Sequence, residues 1–274
     1  MKINLKTPQE IEIMAEGGDI LGDIFLKTLT QVKSGVTTLE LERFAANLIE
    51  KAGAKPSFKT VNHYQFTTCM CVNDVVVHGL PSDYVLREGD ILGIDMGVIW
   101  KGFHTDASWT IVVEKQRTVQ QYDSKTVNSE TVKKKIHYLQ IGQEALREAI
   151  KVAVPGNYVW DISHAIQDTV EKKGGYHCVH VLTGHGVGKT LHEDPFIPCY
   201  TEGKREKSPR LAEGMTLAIE VIYGQKTGQV WYGNDDGWTI TTKDGSWAGL
   251  FEETIVVTSG KPRILTHLVE KANF

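Results

Sequence analysis

Apolar residues recur at helical spacing along Ile11, Met14, Leu21 and Phe25. The capping box Thr7-Pro8-Gln9-Glu10, with Pro at the first helical position, opens that helix, and Gly35 is expected to break it. A second box, Thr37 with Glu40, starts a helix through Leu41, Phe44, Leu48 and Ile49 that Gly53 stops. The period then changes to that of strands over residues 67–77. Runs at 91–100 and 103–113 flank Lys101-Gly102 as the two-residue turn of a hairpin. The same order returns downstream: a helix from about 132 to 152, a break at Pro155-Gly156, a helix over 160–173, then strands.

The repetition reaches individual residues. Glu88-Gly89-Asp90-Ile91-Leu92-Gly93-Ile94-Asp95 and Glu213-Gly214-Met215-Thr216-Leu217-Ala218-Ile219-Glu220 each join a Gly turn, a β-run and a terminal carboxylate. Glu50-Lys51-Ala52-Gly53 is echoed 121 residues later by Glu171-Lys172-Lys173-Gly174. Two half-domains, about 8–113 and 132–258, are expected to build one domain of α+β class, with helix pairs covering a curved antiparallel sheet. The polar stretch from 114 to 131 reads as a surface linker between them.

Composition narrows the function. A chain of 274 residues with 41% hydrophobic content can bury a large core without disulfides. Its net charge of -4 leaves no basic surplus for phosphates, so no direct nucleic-acid binding is expected, and Lys133-Lys134-Lys135 reads as a solvated helix face. No apolar run approaches the ~20 residues of a membrane span, and no signal peptide is evident, which predicts a cytoplasmic protein without membrane contact. Cys69, Cys71, Cys178 and Cys199 lack the spacing of a zinc site or disulfide framework and read as free thiols.

The carboxylates carry the chemistry. The hairpin register pairs Asp95 with Ser108 and so puts Asp106 on the face of Asp95, a diagonal neighbour ~7 Å away at the backbone. Glu220 ends the apolar run from 215 to 219, and Glu252 heads Thr254-Ile255-Val256-Val257, with no Arg or Lys beside either. Each acid alone could cap a turn. Four acids converging in a low-dielectric cavity must be protonated or neutralised, and two divalent cations balance them. His185, in Gly184-His185-Gly186-Val187-Gly188, is the best candidate for an added imidazole ligand, with flanking glycines that allow close backbone approach. His192 and His78 are further candidates for contact with substrate.

With these residues in place, the chain resembles the type I methionine aminopeptidases of the pita-bread fold over nearly all its length. The likeness rests on Val72-Asn73-Asp74, Val77-His78-Gly79-Leu80-Pro81, Ile94-Asp95, Gly102-Phe103-His104-Thr105-Asp106, the His185 and His192 motifs, Gly214-Met215-Thr216 and Phe251-Glu252-Glu253-Thr254. It implies that Asp95, Asp106, His185, Glu220 and Glu252 ligate two divalent ions (Co, Mn, Fe or Zn), that His78 and His192 contact substrate and intermediate, and that Glu220 shuttles the proton. The expected activity is removal of methionine from unblocked nascent chains, by a monomer that meets the ribosome transiently. Tyr64, Phe66, Cys69, Leu191 and Trp238 are the candidates for the methionine pocket.

Three departures stand out. Residues 61–66 lack the common aromatic-Gly-aromatic-Pro pattern, Val221 follows Glu220 where Pro is usual, and Glu253 replaces the usual His after Glu252. Strand alternation predicts that Glu253 faces away from the ligands. Rivals of the same fold are the proline-specific aminopeptidases and dipeptidases, which usually carry a further amino-terminal domain, and non-catalytic ribosome- or RNA-binding proteins, which typically lose ligands. The type II subfamily carries an insert for which the 28 positions from His192 to Glu220 leave no room.

Overall fold

The computed structural model describes residues 3–115 and 130–271, so most of the expected 114–131 linker lies outside the described residues. The first half runs α1 (Pro8–Leu29), α2 (Thr38–Lys51), β1 (Lys55–Pro56), β2 (Thr68–Val72), β3 (Val75–Val77), β4 (Ile91–Trp100) and β5 (Phe103–Val112). The second runs α3 (Glu130–Lys151), α4 (Val159–Gln167), β6 (His177–Cys178), β7 (Thr183–Gly186), β8 (Glu193–Pro198) and β9 (Thr216–Gly224). It continues through β10 (Val230–Tyr232), β11 (Ile240–Thr242), β12 (Ala248–Val256), β13 (Arg263–Ile264) and α5 (Leu268–Lys271).

Both expected capping boxes form. Glu10 N donates to Thr7 Oγ1 (3.3 Å) while Thr7 N donates to the Glu10 carboxylate (2.9 Å). The same exchange at Thr37 and Glu40 measures 3.1 and 2.7 Å. Such caps satisfy donors that the first helical turn leaves open, each worth about 1 kcal/mol. Element ends differ from expectation where local bonding intervenes. Helix α1 stops at Leu29, because Gln31 N and Val32 N turn back to Thr28 O and Leu29 O, and Gly35 (φ +92°) serves the following turn instead. The helix expected over 160–173 becomes π-helical from Asp168 to Lys173, and Gly174 N reaches five residues back to Thr169 O. The 67–77 run divides into β2 and β3 at Asn73 (φ +54°), whose side chain binds Asp90 (2.9 Å) and Ile91 N (3.0 Å).

The main sheet is antiparallel, in the order β1-β4-β5-β12-β9-β7-β8, with β2 on β4, β6 on β9 and β13 on β12. Strand β12 is the seam, pairing with β5 of one half and β9 of the other. A small sheet, β10-β11-β3, stands apart. Successive strand residues face opposite sides, and the helices cover one side of the main sheet. There Tyr138 of α3 packs on Tyr223 (ring centroids 4.6 Å apart) and Phe251 meets Trp109 edge-on (5.0 Å). The other side is left for the carboxylates.

Lys135 departs from the solvated face expected for the lysine run. It is half-buried, its ammonium lies 4.9 Å from the Trp247 ring centroid, and it donates to Gly89 O. Its apolar stem and the ring quadrupole make that burial favourable. All four cysteines are buried and free, and no helix among the described residues is long and apolar enough to cross a membrane.

Candidate metal centre

One line of paired residues crosses the sheet. Cys69 of β2 pairs with Asp95 of β4, Asp95 with Ser108 of β5, Ser108 with Glu252 of β12, and Glu252 with Glu220 of β9. Directly opposed residues point to the same side of a sheet, so Asp95, Glu252 and Glu220 share one face. Asp106 stands two places from Ser108 and joins them. His185 pairs with Ala218, two places from Glu220, and completes the set. Strand pairing alone therefore gathers the five expected ligands from five strands around the seam. Glycines make the last approach possible: a Cβ on Gly184 would lie 2.6 Å from Ala218 O, and one on Gly186 2.3 Å from Asp194 O.

Four carboxylates meet here with little to satisfy them. Ligand atoms of Asp106, His185 and Glu252 lie within 4.8 Å of one another. Among the described residues, Asp95 Oδ1, Glu252 Oε1 and Ser108 Oγ are buried without a hydrogen-bond partner. Asp106 is partly satisfied, accepting from Ala107 N at 3.0 Å, while Thr254 Oγ1 bridges its backbone N and O (2.9 and 2.8 Å). Burial, then repulsion from the neighbouring acids, pushes Asp95, Glu220 and Glu252 well above the usual carboxylate range. Burial raises Asp106 to about 7. Orphaned buried carboxylate oxygens cost several kcal/mol unless a cation engages them, so this donor set fits divalent metal.

The imidazole is prepared for the same task. His185 Nδ1 lies 2.9 Å from Gly186 O, which can only accept, so the ring proton sits on Nδ1. Nε2, 3.6 Å from Glu220 Oε1, keeps its lone pair for a metal. Burial, then the neighbouring His192, lowers its pKa to about 4. The His192 ring meets it edge-on at 4.5 Å, and burial depresses His192 as well. His78 takes the left-handed conformation (φ +57°) just after β3; burial and then His192 hold its pKa down. Both histidines are exposed at the cavity and neutral at pH 7, each keeping one N–H to donate.

A cavity of about 140 Å³ opens above this centre, lined by the five ligand candidates, His78, His192, Tyr64, Cys69, Leu191 and Trp238. Phe58, Val61 and Val77 line it too, and the sequence reading missed them as pocket residues. Phe58 sits on a 3-10 turn whose packing against Tyr64 (6.3 Å, edge-on) is set by the fold, and no local pattern marks it. Phe66, expected in the pocket, lies outside the lining; it is half-buried and its ring rests edge-on against Tyr64 at 6.1 Å. Tyr64 occupies the wall instead, its hydroxyl donating to Thr68 O (2.9 Å) and lying 3.1 Å from Cys69 Sγ. Burial, then Asp95, keeps the Cys69 thiol protonated, a neutral polarizable wall. A larger groove of about 620 Å³ along Glu171, His177 and Lys226 contains none of the expected site residues, so volume alone does not locate the centre.

Glu253 points the other way, as alternation predicts. Its carboxylate is buried on the helix side and accepts from Thr266 Oγ1 and Val269 N.

Comparison with known proteins agrees with this geometry. The model of metallopeptidase family M24 matches residues 12–259. Methionine aminopeptidase 1 of Bacillus subtilis is 39% identical over 263 residues, 96% of this chain and 98% of the relative. The methionine aminopeptidase of Clostridium perfringens is 38% identical over 264 residues, with 96% and 98% covered. The crystal structure of methionine aminopeptidase from Thermotoga maritima superposes with a TM-score of 0.87 at 35% identity, over 97% of this chain and 99% of that one. The prolidase of Pyrococcus horikoshii shares the fold (TM-score 0.70, 22% identity), but this chain covers 63% of it. The full-length likeness, over a sheet whose pairing gathers the acids the resemblance singled out, establishes that this pita-bread chain belongs to metallopeptidase family M24, among its methionine aminopeptidases.

Proposed function

We propose that the chain removes the N-terminal methionine from nascent proteins and peptides, with two divalent ions held by Asp95, Asp106, His185, Glu220 and Glu252. The observation that carries this reading is the row of orphaned buried carboxylates beneath a small cavity walled by a thiol and aromatic rings. Bound metal of this kind supplies a water acidic enough to ionise near pH 7 and polarises the peptide carbonyl. Mixed carboxylate and imidazole ligation suits Mn, Fe, Co or Zn.

The protein's own groups do the rest. Glu220 reaches the cavity and takes the proton from water, returning it to the leaving amine. His78 and His192 donate N–H bonds to the oxygen on which charge develops, and removing either costs on the order of 3 kcal/mol. Cys69, Tyr64, Leu191 and Trp238, with Phe58 and Val61, enclose an unbranched apolar side chain. Metal held by these residues would offer a site for a free α-amine, which would restrict the enzyme to unblocked chains. Nascent substrates put its work in the cytoplasm, as a monomer in transient contact with the ribosome.

The test is hydrolysis of Met-Ala-Ser and of a Gly-Pro peptide by chelator-stripped protein reloaded with each metal in turn. Metal-dependent release of methionine alone is the expected result. Cleavage of the Gly-Pro peptide would move the chain to the proline-specific peptidases, and cleavage of neither would make it a binding protein.

A further inference from the structure

The turn that carries Leu191 and His192 is held by a charge from the other end of the chain. Lys6, just before α1, is buried, and its ammonium lies 2.6 Å from Glu193 Oε2, with both side chains 5% exposed. Lys6 Nζ also donates to Asn4 O (3.1 Å), and Asn4 Nδ2 to the same carboxylate oxygen (3.4 Å). The second oxygen, Glu193 Oε1, accepts from Thr190 N at 3.3 Å. Thr190 Oγ1 in turn donates to His192 O at 3.0 Å.

The turn closes around this pair. Gly188 N donates to Thr190 O (3.1 Å), and Gly188 O accepts from His104 N (2.7 Å), the residue two places from Asp106. A Cβ on Gly188 would sit 2.4 Å from Lys6 Cε and 2.7 Å from Glu193 Oε1, so the backbone lies directly on the ion pair. Lys6 N is itself tied to Gly214 O (2.8 Å), next to the strand that bears Glu220.

We propose that Lys6 is a positioning residue for the reaction: through Glu193 it fixes the 188–193 turn and so sets both the His192 ring and the Leu191 wall. This rests on the proposed contact of His192 with substrate. Lys6 touches no reacting atom. Its removal acts by leaving a buried carboxylate unpaired and freeing the turn, and displacement of a catalytic group by about 1 Å costs up to ~100-fold in rate.

The experiment compares Lys6→Met, Lys6→Arg and the double variant Lys6→Met/Glu193→Gln, which leaves no orphan charge and guards against simple unfolding. Each is made in the native and the His192→Ala backgrounds, as metal-loaded full-length protein. Steady-state cleavage of Met-Ala-Ser is read beside hydrogen exchange over residues 187–193. The expected result is a fall in kcat/KM on the order of 10- to 100-fold for Lys6→Met and the double variant. Faster exchange should be confined to the turn, Lys6→Arg should recover most of the activity, and in the His192→Ala background only the smaller loss that runs through the Leu191 wall should remain. Equal losses in both backgrounds, or unchanged kcat/KM, would overturn the assignment. If the native protein cleaves no methionyl peptide, the functional reading has failed, and hydrogen exchange alone then decides whether Lys6 anchors the turn.

Discussion

Glu252 and Glu253 are consecutive residues of one strand, both buried carboxylates, and they live in opposite chemical worlds. Glu253 faces the helices and accepts from Thr266 Oγ1 and Val269 N. Glu252 faces Asp95, Asp106 and Glu220, and its Oε1 has no partner among the described residues. The burial is the same and the satisfaction differs. A buried acid whose lone pairs are filled by protein donors is structural; one surrounded by other acids must keep its proton or meet a cation. Burial alone would have marked both residues as functional.

Removing the unsatisfied side should have the largest effect. Glu252→Gln, like Asp106→Ala and Glu220→Ala, is expected to abolish methionine release, while metal-free Glu252→Gln unfolds no more easily in urea than native protein, because one repelling acid has gone. Glu253→Ala should do the reverse. It orphans two donors and loses about 1–3 kcal/mol of stability for each, measured by urea unfolding, with turnover per folded, metal-loaded molecule little changed.

The pH dependence separates the two sides further. Burial raises Asp95, Glu220 and Glu252, and raises Glu253 to about 8, whereas the unfolded chain releases these protons near the ordinary values, 3.8 for the aspartate and 4.5 for the glutamates. The folded state therefore holds more protons over that interval. The stability these groups confer is fully present below those ordinary values and is lost as pH rises through their folded values, through about 8 for Glu253. Thermal unfolding of metal-free protein should fall across this window; metal should flatten the share due to the centre, and Glu253→Gln should remove only its own share. The smallest effects belong to the pocket. Trp238→Ala should raise KM for methionyl peptides several-fold, whereas Phe66→Leu, outside the cavity lining, should change it little. A KM shift for Phe66→Leu equal to that of Trp238→Ala would restore Phe66 to the pocket.

Much of this contrast was legible in the sequence. The Lys101-Gly102 turn fixed the register that puts Asp95 opposite Ser108, and alternation placed Glu253 on the far face. Capping boxes at Thr7 and Thr37 located two helix starts, because their chemistry is local. What depends on distant contacts was not legible. Phe58 enters the cavity through packing, Lys135 is drawn onto Trp247, and Lys6 meets a carboxylate 187 positions away. The π-helical end of the second helix pair likewise depends on where Gly174 N finds an acceptor.

The most direct test is metal stoichiometry. Chelator-stripped native protein, Glu252→Gln and Glu253→Gln are each titrated with one divalent metal by calorimetry, with bound metal counted after desalting. The account predicts two ions per chain in native protein and in Glu253→Gln, and at most one in Glu252→Gln. Two ions retained by Glu252→Gln, or an ion lost from Glu253→Gln, would contradict it.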